Sequence, residues 1–448
     1  MIARMASEAT WVEERFPAMQ SWDYRRLFVN GFFTSGSRWA QMLALGWLVH
    51  ELSDGSAAAV GWVTFASFLP FIFVGPVAGV LADRIDRRRL LIGATTFGIF
   101  PVLTLTAIVL ADVAEVWHVV LLAFLAGSTQ SAAIPARESL VVNVVPKRHL
   151  LNAVSLAGIA QHGSRVMGPL FGAALLSTLG AGSVFALSTI LLSVGLVEVL
   201  RVRYRTPQRT VSESPAKASV VAAVVSVLSS IRAAAQHVRR DRRLMTIIGL
   251  VGMHCSFTMA FDSMMPHLAE EVGGGSTLYG AVLVGLGVGA VVGVLTVSQL
   301  HADRAKGTML AVVGIGSGLA MVILGTATTP AIVVLGTIVA GSMQASYMTI
   351  SAALIQEVVP DALRGRVMSL YIMIAAGHMA FMNLGYGWAA DEFNVRILLV
   401  GPGLLWMVTC LFAFVSLVEI RSLVRRGRFL PLRAEPAADE PTAVGGGS

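Results

Sequence analysis

Apolar runs of about 20 residues recur along this chain, each long enough to cross a ~30 Å hydrocarbon core. Short charged stretches separate them. Twelve runs can be placed, near residues 25–50, 57–82, 90–111, 116–137, 150–176, 183–204, 243–269, 278–301, 308–326, 330–356, 367–390 and 397–420. The pattern predicts an all-α membrane protein with twelve transmembrane helices. Charge placement supports that count. Arg84, Arg87, Arg88 and Arg89 follow the second run, Lys147 and Arg148 the fourth, and ten basic residues from Arg201 to Arg243 the sixth. Arg304 and Lys306 follow the eighth, Arg364 and Arg366 the tenth, and five arginines from Arg421 to Arg433 the last. The opposite loops hold Glu51, Asp54, Asp112, Glu115, Glu270, Glu271, Asp391 and Glu392, with Arg396 as their one basic residue. Basic loops stay in the cytoplasm, so both termini are expected there.

Composition agrees. Of 448 residues, 55% are hydrophobic and 13% charged, against about 25% charged in soluble domains. Mean hydropathy is +0.74. No cleavable signal peptide is expected, because the first 25 residues are mixed and charged. Cys255 and Cys410 fall inside apolar runs and read as packed thiols; no metal-ligand spacing occurs. The net charge of +7 lies in loops, so topology accounts for it without a nucleic-acid partner. Gly445–Ser448 resembles an added linker and is set aside.

The chain divides into a cytoplasmic lead (1–24), a six-helix unit (25–204), a cytoplasmic linker (205–242), a second six-helix unit (243–421) and a tail (422–448). Residues 217–238 of the linker suit an amphipathic helix on the membrane surface. The lead carries Trp11, Phe16 and Trp22 among charges and suits an interfacial segment. An internal repeat supports the division. LVVNVVPKRHLLNAVSL (140–156) aligns without gaps to LIQEVVPDALRGRVMSL (354–370), and VLADR (80–84) aligns loosely to QLHADR (299–304).

The stretch GVLADRIDRRRLL, from Gly79, with FLPFIFVGPVAG before it, resembles the loop between helices 2 and 3 of the major facilitator superfamily, in its drug and siderophore exporter branch. That resemblance implies two parallel six-helix repeats with a substrate site between them near the midplane. It implies that Asp83 meets the positive N-terminus of helix 11, near Arg364 and Arg366, and so gates the cytoplasmic side with Gly79, Arg84, Arg87 and Arg88. The second-half copy has Gln299 and Gly307 at matching positions, which implies a weaker contact there. The fifth run carries Gly163, Gly168, Pro169 and Gly172, similar to the exporter signature of that helix, with Ala173 in place of a last glycine. Pro169 kinks the helix, and glycines four apart let a neighbouring backbone approach.

Ionisable groups inside the bilayer are expensive and usually face a cavity or a partner. Arg38, Arg165, Asp262 and Glu138 (beside Arg137) stand out. Asp262 is the one carboxylate well inside a predicted span and is the candidate proton carrier, with Glu138 second. Ser37 stands where many relatives of the branch carry an acid, so the usual helix 1 proton site is missing. His162, His254 and His378 lie within predicted helices and could titrate near neutrality. Trp39, Met42, Trp47, Met253, His254, Phe257, Met264, Met343, Tyr347, Met373, His378, Met379 and Met382 are candidates for an adaptable apolar cavity.

The expected function is export of amphipathic small molecules, drugs or siderophore-like compounds, by proton antiport and alternating access. A lipid or lysophospholipid translocator on the same fold is the alternative. An enzyme is not expected: the chain has no H-E-x-x-H motif and no phosphate-binding Gly-rich loop. The expected partners are the substrate, protons and membrane lipids, with no cofactor, and the chain is expected to be a monomer in the cell inner membrane.

Overall fold

Inside a bilayer every backbone polar group must be satisfied within the protein, and an apolar chain achieves this by forming helices. The computed structural model describes residues 16–204, 220–299 and 303–426. The first half contains α1 (Trp22–Leu52), α2 (Ala57–Phe68), α3 (Pro70–Arg84), α4 (Arg87–Leu110), α5 (Val116–Val144), α6 (Leu150–Leu179) and α7 (Ala181–Leu200). The linker forms α8 (Val220–Arg240). The second half contains α9 (Arg242–His254), α10 (Met265–Glu271), α11 (Gly275–Ser298), α12 (Asp303–Thr326), α13 (Pro330–Val358), α14 (Asp361–Glu392) and α15 (Val395–Ser416). A short α16 (Val418–Arg426) follows.

Ten of the described helices or helix pairs are long and apolar enough to span a membrane. Pairs α2–α3 and α9–α10 each count as one: Pro70 interrupts the first, and a π-turn with a following 3-10 turn (Cys255–Met259, Asp262–Met264) interrupts the second. α1 and α6 fall outside that set although they run 31 and 30 residues. They carry Arg38, Gln41, Gln161 and Arg165. These two polar helices pack against each other.

Within the first half α1 packs on α6 and α7, and α5 on α3 and α4; within the second α13 packs on α11 and α12, and α12 on α15. Two seams join the halves, α2 with α14 and α6 with α11. Both depend on residues without side chains. A Cβ at Gly387 would sit 2.5 Å from the Ala57 carbonyl oxygen, and one at Gly280 would sit 2.3 Å from the Ala173 Cβ. Such backbone proximity replaces the hydrophobic drive that lipid does not provide.

The molecule therefore has two unlike ends. At the end bearing Asp54, Glu270 and Asp391, called the acidic end, the halves touch. Trp47 stacks on Tyr279 with centroids 6.0 Å apart, and His50 Nε2 stands 2.9 Å from Glu270 Oε2. At the opposite, basic end a Cβ at Gly79, Gly158 or Gly365 would meet nothing within 4 Å. There the linker helix α8 packs against α3, α9 and α14.

Candidate functional site

The site is best built from α1. Its sequence places Thr34, Arg38, Gln41 and Met42 at helical spacing, so they share a face. That face borders a cavity closed by Thr64, Ser67, Phe68 and Phe71 of α2 and α3, Thr95 of α4, and Thr129 and Gln130 of α5. Asp262 and Tyr279 reach it from the second half. A second cavity lies beside it towards the basic end, between α1, α5 and α6, lined by Trp39, Arg137, Glu138 and Gln161. Arg38 and Gln130 border both.

Arg38 sits among rings. Its guanidinium carbon is 4.9 Å from the Phe71 centroid, 5.8 Å from Phe68 and 5.9 Å from Trp39. Arg165 lies over the same Trp39 ring at 4.5 Å. Arg165 is also within electrostatic reach of Asp262 across the seam between halves. Arg137 donates to Thr34 Oγ1 at 2.9 Å, which ties α5 to α1 beside Glu138.

Asp262 stands where the α9–α10 pair is broken. Breaking a helix in a membrane frees backbone groups that something must satisfy. Two buried amides do so. Asn383 of α14 accepts from the Ser263 N–H at 3.0 Å and donates to Asp262 Oδ2 at 3.4 Å. Gln344 of α13 donates to the Thr258 carbonyl. Asn383, Gln344, Gln41 and Gln130 were not singled out from the sequence. Pro266, in the first turn of α10, was the available signal for the break, because Pro suits a helix start and disrupts a helix interior.

The other expected residues fall as follows. Met42 lines the first cavity and Trp39 the second. His254 and Tyr347 are stacked at 4.2 Å inside the second half, next to Trp406, with Phe257 packed on the same cluster. They border neither cavity. His254 Nε2 pairs with Ser317 Oγ at 3.1 Å. His378 is exposed on α14 and bonds the Ile374 carbonyl at 2.7 Å. Ser37 is buried; it donates to the Ser188 carbonyl at 2.9 Å and accepts from Gln41 at 2.8 Å.

On α6, Gly168 and Gly172 face α1. A Cβ at Gly168 would lie 2.5 Å from the Gly36 carbonyl oxygen, and one at Gly172 would lie 3.0 Å from Leu43. Ala173 faces α11, opposite Gly280, and the Arg165 carbonyl faces Gly287. Pro169 lies between these two contacts inside α6. Gly163 is looser, with Phe32 at 3.9 Å.

The expected gating residues are spread along the basic end. Asp83 and Arg84 end α3, but their side chains lie outside the described residues. So do residues 300–302 of the second-half copy. Arg87 donates to the Ala82 and Ser139 carbonyls at 3.2 and 3.1 Å, and Arg88 donates to the Leu200 carbonyl at 2.7 Å. The Ala82 and Leu200 carbonyls belong to the last turns of α3 and α7, where cations suit the negative C-termini. Arg364 pairs with Asp361 at 2.6 Å on the exposed first turn of α14, and Arg366 is exposed.

The profile of the transmembrane secretion effector family matches residues 15–431. The chain belongs to that family, within the major facilitator superfamily. Curated relatives include the enterobactin exporter EntS of Citrobacter koseri, 27% identical over 67% of this chain and 69% of that protein. The macrolide efflux protein A of Streptococcus pyogenes is 22% identical over 86% and 92%. The staphyloferrin A transporter of Staphylococcus aureus is 21% identical over 82% and 89%. The match to the uncharacterized transporter YfiS of Bacillus subtilis, at 28% identity, covers 36% of this chain and 37% of that protein. Among solved structures, a POT family transporter with 5-aminolevulinic acid superposes with a TM-score of 0.71 at 14% identity, covering 89% and 96% of the chains. A D-xylose–proton symporter gives 0.66 at 16% identity over 91% and 99%. These likenesses are to the fold. The chain is thus a multi-pass membrane transporter of this superfamily and not an enzyme.

Proposed function

We propose that this transporter exports amphipathic small molecules by alternating access, driven by protons exchanged at Asp262. The observation that carries the reading is the carboxylate at a break in the α9–α10 pair, facing a cavity whose opposite wall belongs to the other half. Broken helices at the midplane are a common means of building a transporter's coupling site. The family description and the names of relatives that export enterobactin or carry out macrolide efflux favour export over uptake.

In this reading the basic end faces the cytoplasm of a bacterial inner membrane, and the arrangement described is open inward. Substrate enters from the basic end and lies against Phe68, Phe71 and Met42. Ionised Asp262 holds the break of the second half against Arg165 of the first. A proton arriving at Asp262 removes the charge that attracts Arg165 and weakens that attraction. The halves then rock about the α2–α14 and α6–α11 seams. The basic-end contact of Asp83 with the N-terminus of α14 would form as that side closes. Direct use of ATP has no phosphate-binding motif to support it.

The test is uptake into inverted membrane vesicles of a panel of dyes, macrolides and siderophore-like compounds, with and without an imposed pH gradient. Gradient-dependent uptake of at least one class is expected. Movement of lysophospholipid alone, with none of the panel, would overturn the reading in favour of lipid translocation.

A further inference from the structure

We propose that the cavity binds its substrate through an anionic head group, a carboxylate or similar oxyanion on an apolar or aromatic body, and that Arg38 is the residue that receives it. This rests on the export reading above and narrows it to one chemical class.

Arg38 borders both cavities, and among the described residues it makes no hydrogen bond and no ion pair. Its guanidinium lies among the rings of Phe71, Phe68 and Trp39. Asp262 borders the same cavity, but its charge answers Arg165 and it accepts from Asn383. Arg165 in turn has a buried Nε without an acceptor. Arg137 has Thr34 as a partner and Glu138 beside it. Two guanidinium groups therefore flank Trp39 with donors to spare, and the local balance is short of one negative charge.

A charge inside a membrane normally has a partner or marks a substrate path. A guanidinium carries five donors in a planar fork that matches a carboxylate or phosphate. Rings at cation–π distance hold the Arg38 cation without neutralising it, so its charge stays available to a ligand. A cationic substrate would face Arg38 and Arg165 together. The first cavity has about 80 Å³ free, which fits a head group, whereas drug-sized sites run to about 300–1,000 Å³. The apolar body lies against the Phe68 and Phe71 rings beside Arg38 and extends past Trp39 into the second cavity, which has about 120 Å³ free.

The probes are 2-naphthoate, 2-naphthylmethanol and 2-naphthylmethyl-trimethylammonium, which share one ring system and differ in charge. Their affinities are measured calorimetrically on the full-length protein in lipid nanodiscs, with empty discs subtracted. The expected order is anion tightest and cation weakest. Arg38→Gln is expected to weaken 2-naphthoate by about tenfold or more, as loss of a charged hydrogen bond does, and to leave 2-naphthylmethanol within about twofold. Phe71→Ala is expected to weaken all three alike. A cation that binds tightest, or an anion affinity unchanged in Arg38→Gln, overturns the proposal. If Arg38→Gln does not fold, the order in the unmodified protein decides alone. The two readings fail separately. If 2-naphthoate binds through Arg38 but inverted vesicles move no panel compound, export falls and the anion site stands. If cations are bound best and also moved, the anion site falls and export stands.

Discussion

Asp391 of α14 caps the first turn of α2: its Oδ1 accepts from the Ala57 N–H at 2.6 Å and its Oδ2 from the Ser56 hydroxyl at 2.8 Å. The Ala58 N–H also points to it, at 3.3 Å from Oδ2. A carboxylate at a helix N-terminus meets both free N–H groups and the positive end of the dipole. This one belongs to the other half of the molecule, so it clasps the halves at the acidic end. The contact proposed for Asp83 would join α14 at the basic end to α3, the continuation of α2 across the span, with the roles of helix start and helix finish exchanged.

Asp391→Ala should therefore favour arrangements open at the acidic end. A cap of this kind contributes about 1 kcal/mol, or roughly a fivefold change in the ratio of states. Spin labels at positions 112 and 328, one on each half, would report it by electron–electron distance measurement. Cys255 and Cys410 are buried and should stay unlabelled. Unchanged distance distributions would remove the clasp from the account.

Much of this fold was legible in the sequence. The predicted run 330–356 became Pro330–Val358, and 57–82 became the pair Ala57–Phe68 and Pro70–Arg84. Helices in lipid are set by the length of apolar chain and by charges at its ends, and both are local properties. The face that each residue presents is not local. His254 and Tyr347 were expected at the cavity but stack on each other within one half, where His254 Nε2 pairs with Ser317 Oγ and Trp406 packs alongside. Buried amides were equally opaque: Asn383 matters only because Ser263 loses its helical partner on another element. Thr64, Thr95 and Thr106 bond carbonyls four residues back in their own helices, so their hydroxyls are satisfied without a partner on another element.

Asn383→Leu should destabilise the second half by about 1–3 kcal/mol, since it leaves the Ser263 N–H buried without an acceptor. Thermal denaturation of the purified protein would show a lower midpoint. Asn383→Gln keeps an acceptor for the Ser263 N–H and a donor for Asp262, and should retain more stability than the leucine variant. Equal midpoints for both variants would contradict the role given to this amide.

The α6–α11 seam predicts a compensating pair. Gly280→Ala alone brings two methyl groups within 2.3 Å, and overpacking of this kind costs about 1–3 kcal/mol. Adding Ala173→Gly exchanges the two residues across the seam and should recover most of the lost stability. Additive losses in the double variant, read as melting midpoints, would show that the contact is not the cause.

Asp241 tests the junction between the linker and the second half, outside the spans. Burial pushes its carboxyl up, but the bonds from Arg243 outweigh that and hold it below the usual range. It also caps α9 through the Arg243 N–H. A lowered value means that the ionised form stabilises the fold. That contribution is complete above the ordinary value of about 4 and is lost as pH falls through the lowered one. Asp241→Ala should cost about 1 kcal/mol at neutral pH, and the difference from the parent should shrink below about pH 4.

The central claim is that Asp262 couples protons to substrate movement, and counterflow in proteoliposomes tests it most directly. Counterflow exchanges labelled for unlabelled substrate without a gradient, so it needs binding and rocking but no net proton transfer. Asp262→Asn should keep substrate counterflow while losing uptake driven by an imposed pH gradient. Full gradient-driven uptake in Asp262→Asn would contradict the claim.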